Sequence, residues 1–272
     1  MLNKFSLANK VIVVTGGTGI LGNAMIDAIV EAGGTVGILG RKKEVAEARA
    51  NAIIEKGGKA IALVADVMNV EQLQVCKQQV LAAFGKIDGL VNAAGGNMPE
   101  GVLQPSDDIF SMNVEGMKKT MDLNLWGTII PTQVFGEAIV KTSGKGSIVN
   151  ISSMNSKRAI TKVLGYNIGK AAVDCYNQWY AVELANRYGD KIRMNAIAPG
   201  FFLTEQNKNL LTTPDGGYTE RGNLVIKQTP FKRFGNPTEL QGALVWLLSD
   251  ASEFVTGSMV CVDGGCSIIG GV

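Results

Sequence analysis

Val11-Ile12-Val13-Val14-Thr15-Gly16-Gly17-Thr18-Gly19-Ile20-Leu21-Gly22 decides how this chain is read. Five β-branched residues run straight into a glycine-rich turn, and an amphipathic helical pattern follows at 20–32. Gly17, Gly19 and Gly22 satisfy G-x-G-x-x-G. The pattern is weak alone and strong between a first strand and a helix. A turn without Cβ atoms lets backbone N–H groups and the helix N-terminus approach a pyrophosphate. Gly16, Thr18, Gly19, Ile20 and Leu21 are therefore the candidate phosphate contacts.

Outward from this motif the same rhythm repeats. Val11–Thr15, Thr35–Leu39, Ala60–Ala65, Gly89–Asn92, Ser147–Ile151, Arg193–Ile197 and Met259–Val262 read as buried strands, mostly continuous apolar runs of the kind a sheet covered on both faces requires. Helical patterns fall between them near 20–32, 43–56, 70–84, 113–142, 166–188 and 237–249. Strand-helix-strand repetition predicts an α/β fold with a doubly wound parallel sheet of about seven strands. No linker divides residues 1–272, so a single domain is expected. The Thr-, Gly- and Asn-rich segment 203–235 breaks the rhythm and reads as a substrate lid; 96–112 is a smaller insertion.

Composition narrows the chemistry. The chain has 272 residues, 46% of them apolar, and a net charge of +2, which excludes disorder and gives no footprint for nucleic acid or membrane. Histidine is absent, so no Ser-His-Asp or Cys-His scheme and no His-based zinc site is available; no metal is expected. The four cysteines form no Cys-x-x-Cys pair, no apolar run is long enough to span a bilayer, and the first residues carry no signal-peptide core. A cytoplasmic enzyme is the expectation.

The end of the second strand bears on the cofactor. An NAD site would place an acid there for the ribose 2′-hydroxyl, whereas this chain has Gly40-Arg41-Lys42-Lys43. Arg41 can grip a 2′-phosphate, which favours NADP(H) and leaves NAD(H) as the alternative. Asp66, followed by Val67, could accept from an adenine amino group, and the small residues of Asn92-Ala93-Ala94-Gly95 would let backbone lie against the adenosine ribose. Either segment could equally be a cap or a turn.

Tyr166 and Lys170 stand four apart on a predicted helix, hence on one face, and Ser153 closes a strand thirteen residues before Tyr166. Reducing a carbonyl needs a proton donor at the developing alkoxide. Lowering a phenol by about three pKa units takes about 4 kcal/mol. An ammonium about 4 Å away at an effective dielectric of ~20 supplies about that much. Ser153 would hold the substrate oxygen.

On these residues the chain resembles the short-chain dehydrogenase/reductase family from about residue 5 to its end, through Thr15–Gly22, Asn92–Gly95, Asn124, Ser153, Tyr166, Lys170, Asn195, Pro199-Gly200, Thr204 and Asp263-Gly264-Gly265. The resemblance implies a Rossmann-type sheet and a Ser-Tyr-Lys mechanism with Asn124 holding a relay water. It also implies nicotinamide contacts from Pro199, Gly200, Phe202 and Thr204, and a homotetramer. One departure concerns the cradle: family members carry glycine where this chain has Ile20, and the glycine stands at position 19 instead.

Asn92–Asn97, Ser152–Asn155, Pro199–Asn207 and Tyr218–Gly222 are similar to the D-mannonate oxidoreductases of that family and, more distantly, to gluconate 5-dehydrogenases. That likeness implies a small sugar-acid substrate, D-fructuronate or D-mannonate. Arg158, beside Lys157, would face its carboxylate, and Asn97, Asn155, Gln206 and Asn207 would bond its hydroxyls. Polar side chains on loops are also the ordinary surface pattern. A reductase of acyl-carrier substrates and a cofactor-sensing regulator without turnover are the rival readings; the amide-rich lid speaks against the first and the complete Ser153, Tyr166, Lys170 set against the second.

Overall fold

The computed structural model describes residues 2–204 and 207–270. Its centre is β1 (Val11–Thr15), buried along its whole length, which pairs in parallel with β2 (Thr35–Gly40) on one side and β4 (Gly89–Asn92) on the other. With β3 (Ala60–Val64), β5 (Gly146–Ile151), β6 (Ile192–Pro199) and β7 (Met259–Val262) the order is β3-β2-β1-β4-β5-β6-β7, all parallel.

The helices are α1 (Ile20–Glu31), α2 (Lys43–Glu55), α3 (Val70–Phe84), α4 (Val114–Ala138), α5 (Leu164–Tyr188), α6 (Lys208–Leu211), α7 (Glu220–Gln228) and α8 (Gln241–Leu248). On one face Met25, Ile29, Ile53, Leu244 and Leu247 from α1, α2 and α8 join a buried core; on the other Leu73, Val80, Phe135 and Leu184 from α3, α4 and α5 form a second. Chain segments therefore leave β1 and β4 toward opposite faces, which opens a crevice at the carboxyl ends of these strands, where doubly wound folds bind their ligands.

Helix α4 carries an unusual buried polar stripe. The hydroxyls of Thr120, Thr128 and Thr132 each donate to the carbonyl four residues back, at 3.0, 3.0 and 2.8 Å. Self-satisfied hydroxyls can be buried without an unpaired donor.

Three expectations change in the structure. β7 is half-exposed rather than buried, because it is the sheet edge and nothing in a single chain covers its outer side. The helix expected over 113–142 begins after the cap Asn113, whose side chain accepts from Gly116 N, and beyond Ala138 widens into a π turn at Ile139–Ser143. The segment 203–235 is partly folded: α6 and α7 enclose a small core of Leu211, Val225 and Phe234, with Tyr218 edge-on to Phe234 at 5.4 Å.

Candidate active site

The glycine turn between β1 and α1 is built for close approach. Gly16 sits at φ +65°, and a Cβ there would lie 2.7 Å from the Ala93 carbonyl oxygen; a Cβ on Gly22 would lie 2.3 Å from the Gly16 carbonyl oxygen. Gly19 caps α1 without a side chain, and the N–H groups of Thr18, Ile20 and Leu21 find no acceptor among the described residues. Backbone donors at an uncapped helix N-terminus fit the pyrophosphate of a dinucleotide. Ile20 in place of the family glycine is tolerated because α1 starts at that residue, half-buried beside the turn.

Thr15, at the end of β1, ties the opposite wall in place. Its hydroxyl accepts from the N–H groups of Ala93 and Ala94 at 3.1 and 3.2 Å. The Asn92 side chain points into the interior, where its amide donates to Thr132 Oγ1 at 2.8 Å and Asn150 Oδ1 at 2.9 Å. Only its backbone is left for the crevice. Asp66 forms a turn, accepting from Met68 N at 2.9 Å, and Val67 packs beside Gly127 of α4. Arg41 is exposed at the end of β2, where α2 opens on Lys42 without a side-chain cap.

The catalytic candidates converge. Ser153 follows β5 directly; Tyr166 and Lys170 lie one helical turn apart in α5; Asn124 faces them from α4. A side chain at Gly95 would meet Asn124 Oδ1 at 2.7 Å and Lys170 Nζ at 3.3 Å, which places these three groups side by side. Asn124 is fully buried, accepting from Gly96 N at 3.2 Å and donating to the carbonyls of Gly96 and Thr120, both at 2.7 Å. Lys170 Nζ donates to the Ile151 carbonyl at 2.7 Å and stands 5.6 Å from the centre of the Tyr166 ring.

The electrostatics reverse one expectation. Burial raises the Tyr166 phenol above its ordinary pKa, and its hydrogen bond with Ser153 only partly offsets this. Burial likewise pushes the Lys170 ammonium down to about 8, against the opposing pull of Asp174. A phenol held protonated in this way is set to donate.

The outer residues divide. Asn155 Oδ1 accepts from Ser153 Oγ at 3.3 Å while its amide donates to Asn167 Oδ1 at 2.9 Å, so it stands directly at Ser153. Asn167, beside Tyr166, escaped the sequence reading, although its place next to a catalytic candidate was a usable signal. Arg158 donates through Nη1 to the Cys266 carbonyl, which fastens the turn after β5 to the C-terminal segment. Asn207 spends its side chain on the loop, accepting from Thr204 N and donating to the Phe202 carbonyl, both at 2.8 Å. It shapes the loop where a substrate contact was expected. The Phe202 ring is buried and packs over Gly235 in the core, so the side chain is turned away from any ligand in the crevice. Pro199 ends β6, Gly200 crosses Asp263 closely, and Thr204 follows; Asn97 is exposed; Gln206 lies outside the described residues.

Comparison with known proteins agrees with this geometry. The family model described as enoyl-(acyl carrier protein) reductase matches residues 18–267. An uncharacterized oxidoreductase, UxuB, of Bacillus subtilis (strain 168) is 39% identical, with 98% of each chain covered. A solved structure from Haemophilus influenza, provisionally named a D-mannonate oxidoreductase and holding NAD, superposes with a TM-score of 0.90 at 35% identity over 98% of both chains. A gluconate 5-dehydrogenase from Burkholderia cenocepacia J2315, in complex with NADP and tartrate, gives 0.86 at 30% identity over 98% of this chain and 99% of that one. A Ser-Tyr-Lys cluster beside a dinucleotide cradle, on a fold shared over the whole chain with these relatives, makes the protein an NAD(P)-dependent oxidoreductase of the short-chain dehydrogenase/reductase family.

Proposed function

We propose that this enzyme interconverts D-fructuronate and D-mannonate, with NADP(H) favoured over NAD(H). The observation that carries the substrate reading is the polar rim beside Ser153, where the Asn155 amide donates to Asn167 and where Arg158, three residues on from Asn155, holds the Cys266 carbonyl through Nη1 and has no acceptor for Nη2 and Nε among the described residues. A guanidinium fork suits a carboxylate, and amides suit the hydroxyls along a sugar backbone. The names carried by the sugar-acid relatives point the same way. An acyl chain would gain little from such a rim, although the matching family model bears an acyl-carrier name.

When bound, the nicotinamide supplies or accepts the hydride. The chain's own residues do the rest. Ser153 Oγ holds the carbonyl oxygen, Tyr166 gives its proton to the developing alkoxide, and the Lys170 ammonium stabilises the phenolate that remains. Asn124 keeps Gly96 and α4 in register behind this cluster and is the proposed holder of a relay water. Pro199, Gly200 and Thr204 would line the nicotinamide, and 203–235 would close over the sugar acid. Arg41 and the uncapped N-terminus of α2 support NADP(H), since both favour an added phosphate. A cytoplasmic homotetramer completes the proposal; exposed Trp126, Trp179 and Val182 on α4 and α5 offer a face for a second copy. No described helix is long and apolar enough to cross a membrane.

The test is purified protein with NADPH or NADH and a panel of keto-sugar acids, followed through the absorbance of the reduced cofactor. D-Fructuronate should be the fastest substrate. Preference for 5-keto-D-gluconate would install the second reading, a gluconate 5-dehydrogenase, which the tartrate-bound relative favours.

A further inference from the structure

Tyr166, Lys170 and Asp174 recur every four residues along α5, so all three lie on the face turned to the site. Lys170 is 3% exposed and its only hydrogen bond among the described residues goes to a neutral carbonyl. A buried ammonium with no counter-charge gives up its proton, and this one could not then stabilise a phenolate.

Tyr166 and Asp174 face Lys170 from its own helix. β5 offers the Ile151 carbonyl, the loop after β4 offers Gly95, and α4 offers Asn124, none of which titrates. Lys157, from the turn after β5, is half-exposed and faces Asp174 at 3.9 Å. Asp174 is thus the carboxylate of this set. Its side chain is 12% exposed, and one oxygen accepts from Ser152 Oγ at 2.5 Å, a bond that anchors it to the strand end carrying Ser153.

We propose that Asp174 is a positioning residue that keeps Lys170 charged across the neutral pH range and thereby sets where catalysis fails on the alkaline side. The proposal rests on Lys170 being the ammonium partner of Tyr166. Burial alone drives Lys170 down; Asp174 is the charge that opposes it and holds the value at about 8. Ser152 fixes the carboxylate, and Lys157 takes a weaker, water-screened share of it.

The experiment is side-chain NMR of isotopically labelled lysine in the full-length protein, with the Lys170 signal assigned by its loss in Lys170→Arg. The wild-type midpoint is expected near 8. Asp174→Asn and Asp174→Ser both remove the charge, and either one that folds suffices; each should bring the midpoint to about 7 or below. Asp174→Glu should keep it near the wild-type value. Ser152→Ala removes the anchor and keeps the charge, so its midpoint should fall by no more than that of the neutral variants. With a midpoint at about 7, sugar-acid turnover at about pH 7.5 falls about threefold and recovers toward acid pH. An unmoved midpoint in the neutral variants, or a drop in Asp174→Glu as large as theirs, would overturn the proposal. A midpoint that moves while turnover does not would instead remove Lys170 from the catalytic reading and leave the hold of Asp174 on its charge standing.

Discussion

Replacing Gly16 with alanine tests the cradle where its geometry is tightest. The residue lies at φ +65°, a left-handed conformation that costs an L-residue about 1–2 kcal/mol. The added methyl would sit 2.7 Å from the Ala93 carbonyl oxygen and 2.8 Å from Ala94 N, so backbone must move, at the ~1–3 kcal/mol typical of overpacking. Together these predict a loss of about 2–5 kcal/mol, and a Tm lower by roughly 4–15 °C for a domain of this size. The segment that gives way is the crevice wall held by Thr15, so the dissociation constant for NADH and NADPH should rise at least about tenfold, equivalent to ~1.4 kcal/mol. Thermal melts and titration of tryptophan fluorescence with cofactor measure the two effects. Gly57→Ala is the control: φ is +83°, but nothing lies within 4 Å of its Cβ, so it should show strain alone and bind cofactor normally. Equal stability losses in the two variants, or unchanged cofactor affinity in Gly16→Ala, would show that the turn at Gly16 does not form a close-packed wall of the cofactor crevice.

Three further outcomes are expected. Arg41→Ala should weaken NADPH much more than NADH, and a parallel loss for both would end the 2′-phosphate argument. Asn207→Ala removes two hydrogen bonds that shape the loop after β6; KM for the sugar acid should rise several-fold in steady-state assays while the Tm moves little, since Asn207 is itself only partly buried and both bonds are local. Reduction needs the ammonium, and Lys170 loses it as pH rises through about 8, whereas burial holds the phenol proton to higher pH. The pH–rate profile should therefore fall on the alkaline side near 8, and Lys170→Arg, always charged, should remove that limb from its residual activity.

The fold was legible because continuous apolar strands and the helical patterns between them carry local signals; β1, β4 and β7 begin and end at the residues expected. Ser153, Tyr166 and Lys170 were legible because helical spacing and strand ends bring side chains together predictably. The balance of burial against charge was not: it depends on how deeply α5 sinks beside α4, which no spacing reports. Asn207 and Phe202 show a second limit. Both sit in a loop expected to touch ligand, yet one amide closes the loop on itself and one ring fills the core. Local sequence names the loop without saying which way its side chains turn. Asp174, one turn past Lys170, was readable in principle, but its meaning required knowing that Lys170 is buried.

The most direct test of the account is Tyr166→Phe, assayed for cofactor binding and for reduction of the sugar acid the wild type turns over fastest. The ring and its packing remain while the proton that the alkoxide needs is gone. Cofactor affinity should stay within about twofold, by the logic of an interaction made only in the transition state, and kcat should fall by ~10²–10⁴. A kcat within about tenfold of wild type, or a loss of cofactor binding in step with it, would contradict Tyr166 as the proton donor.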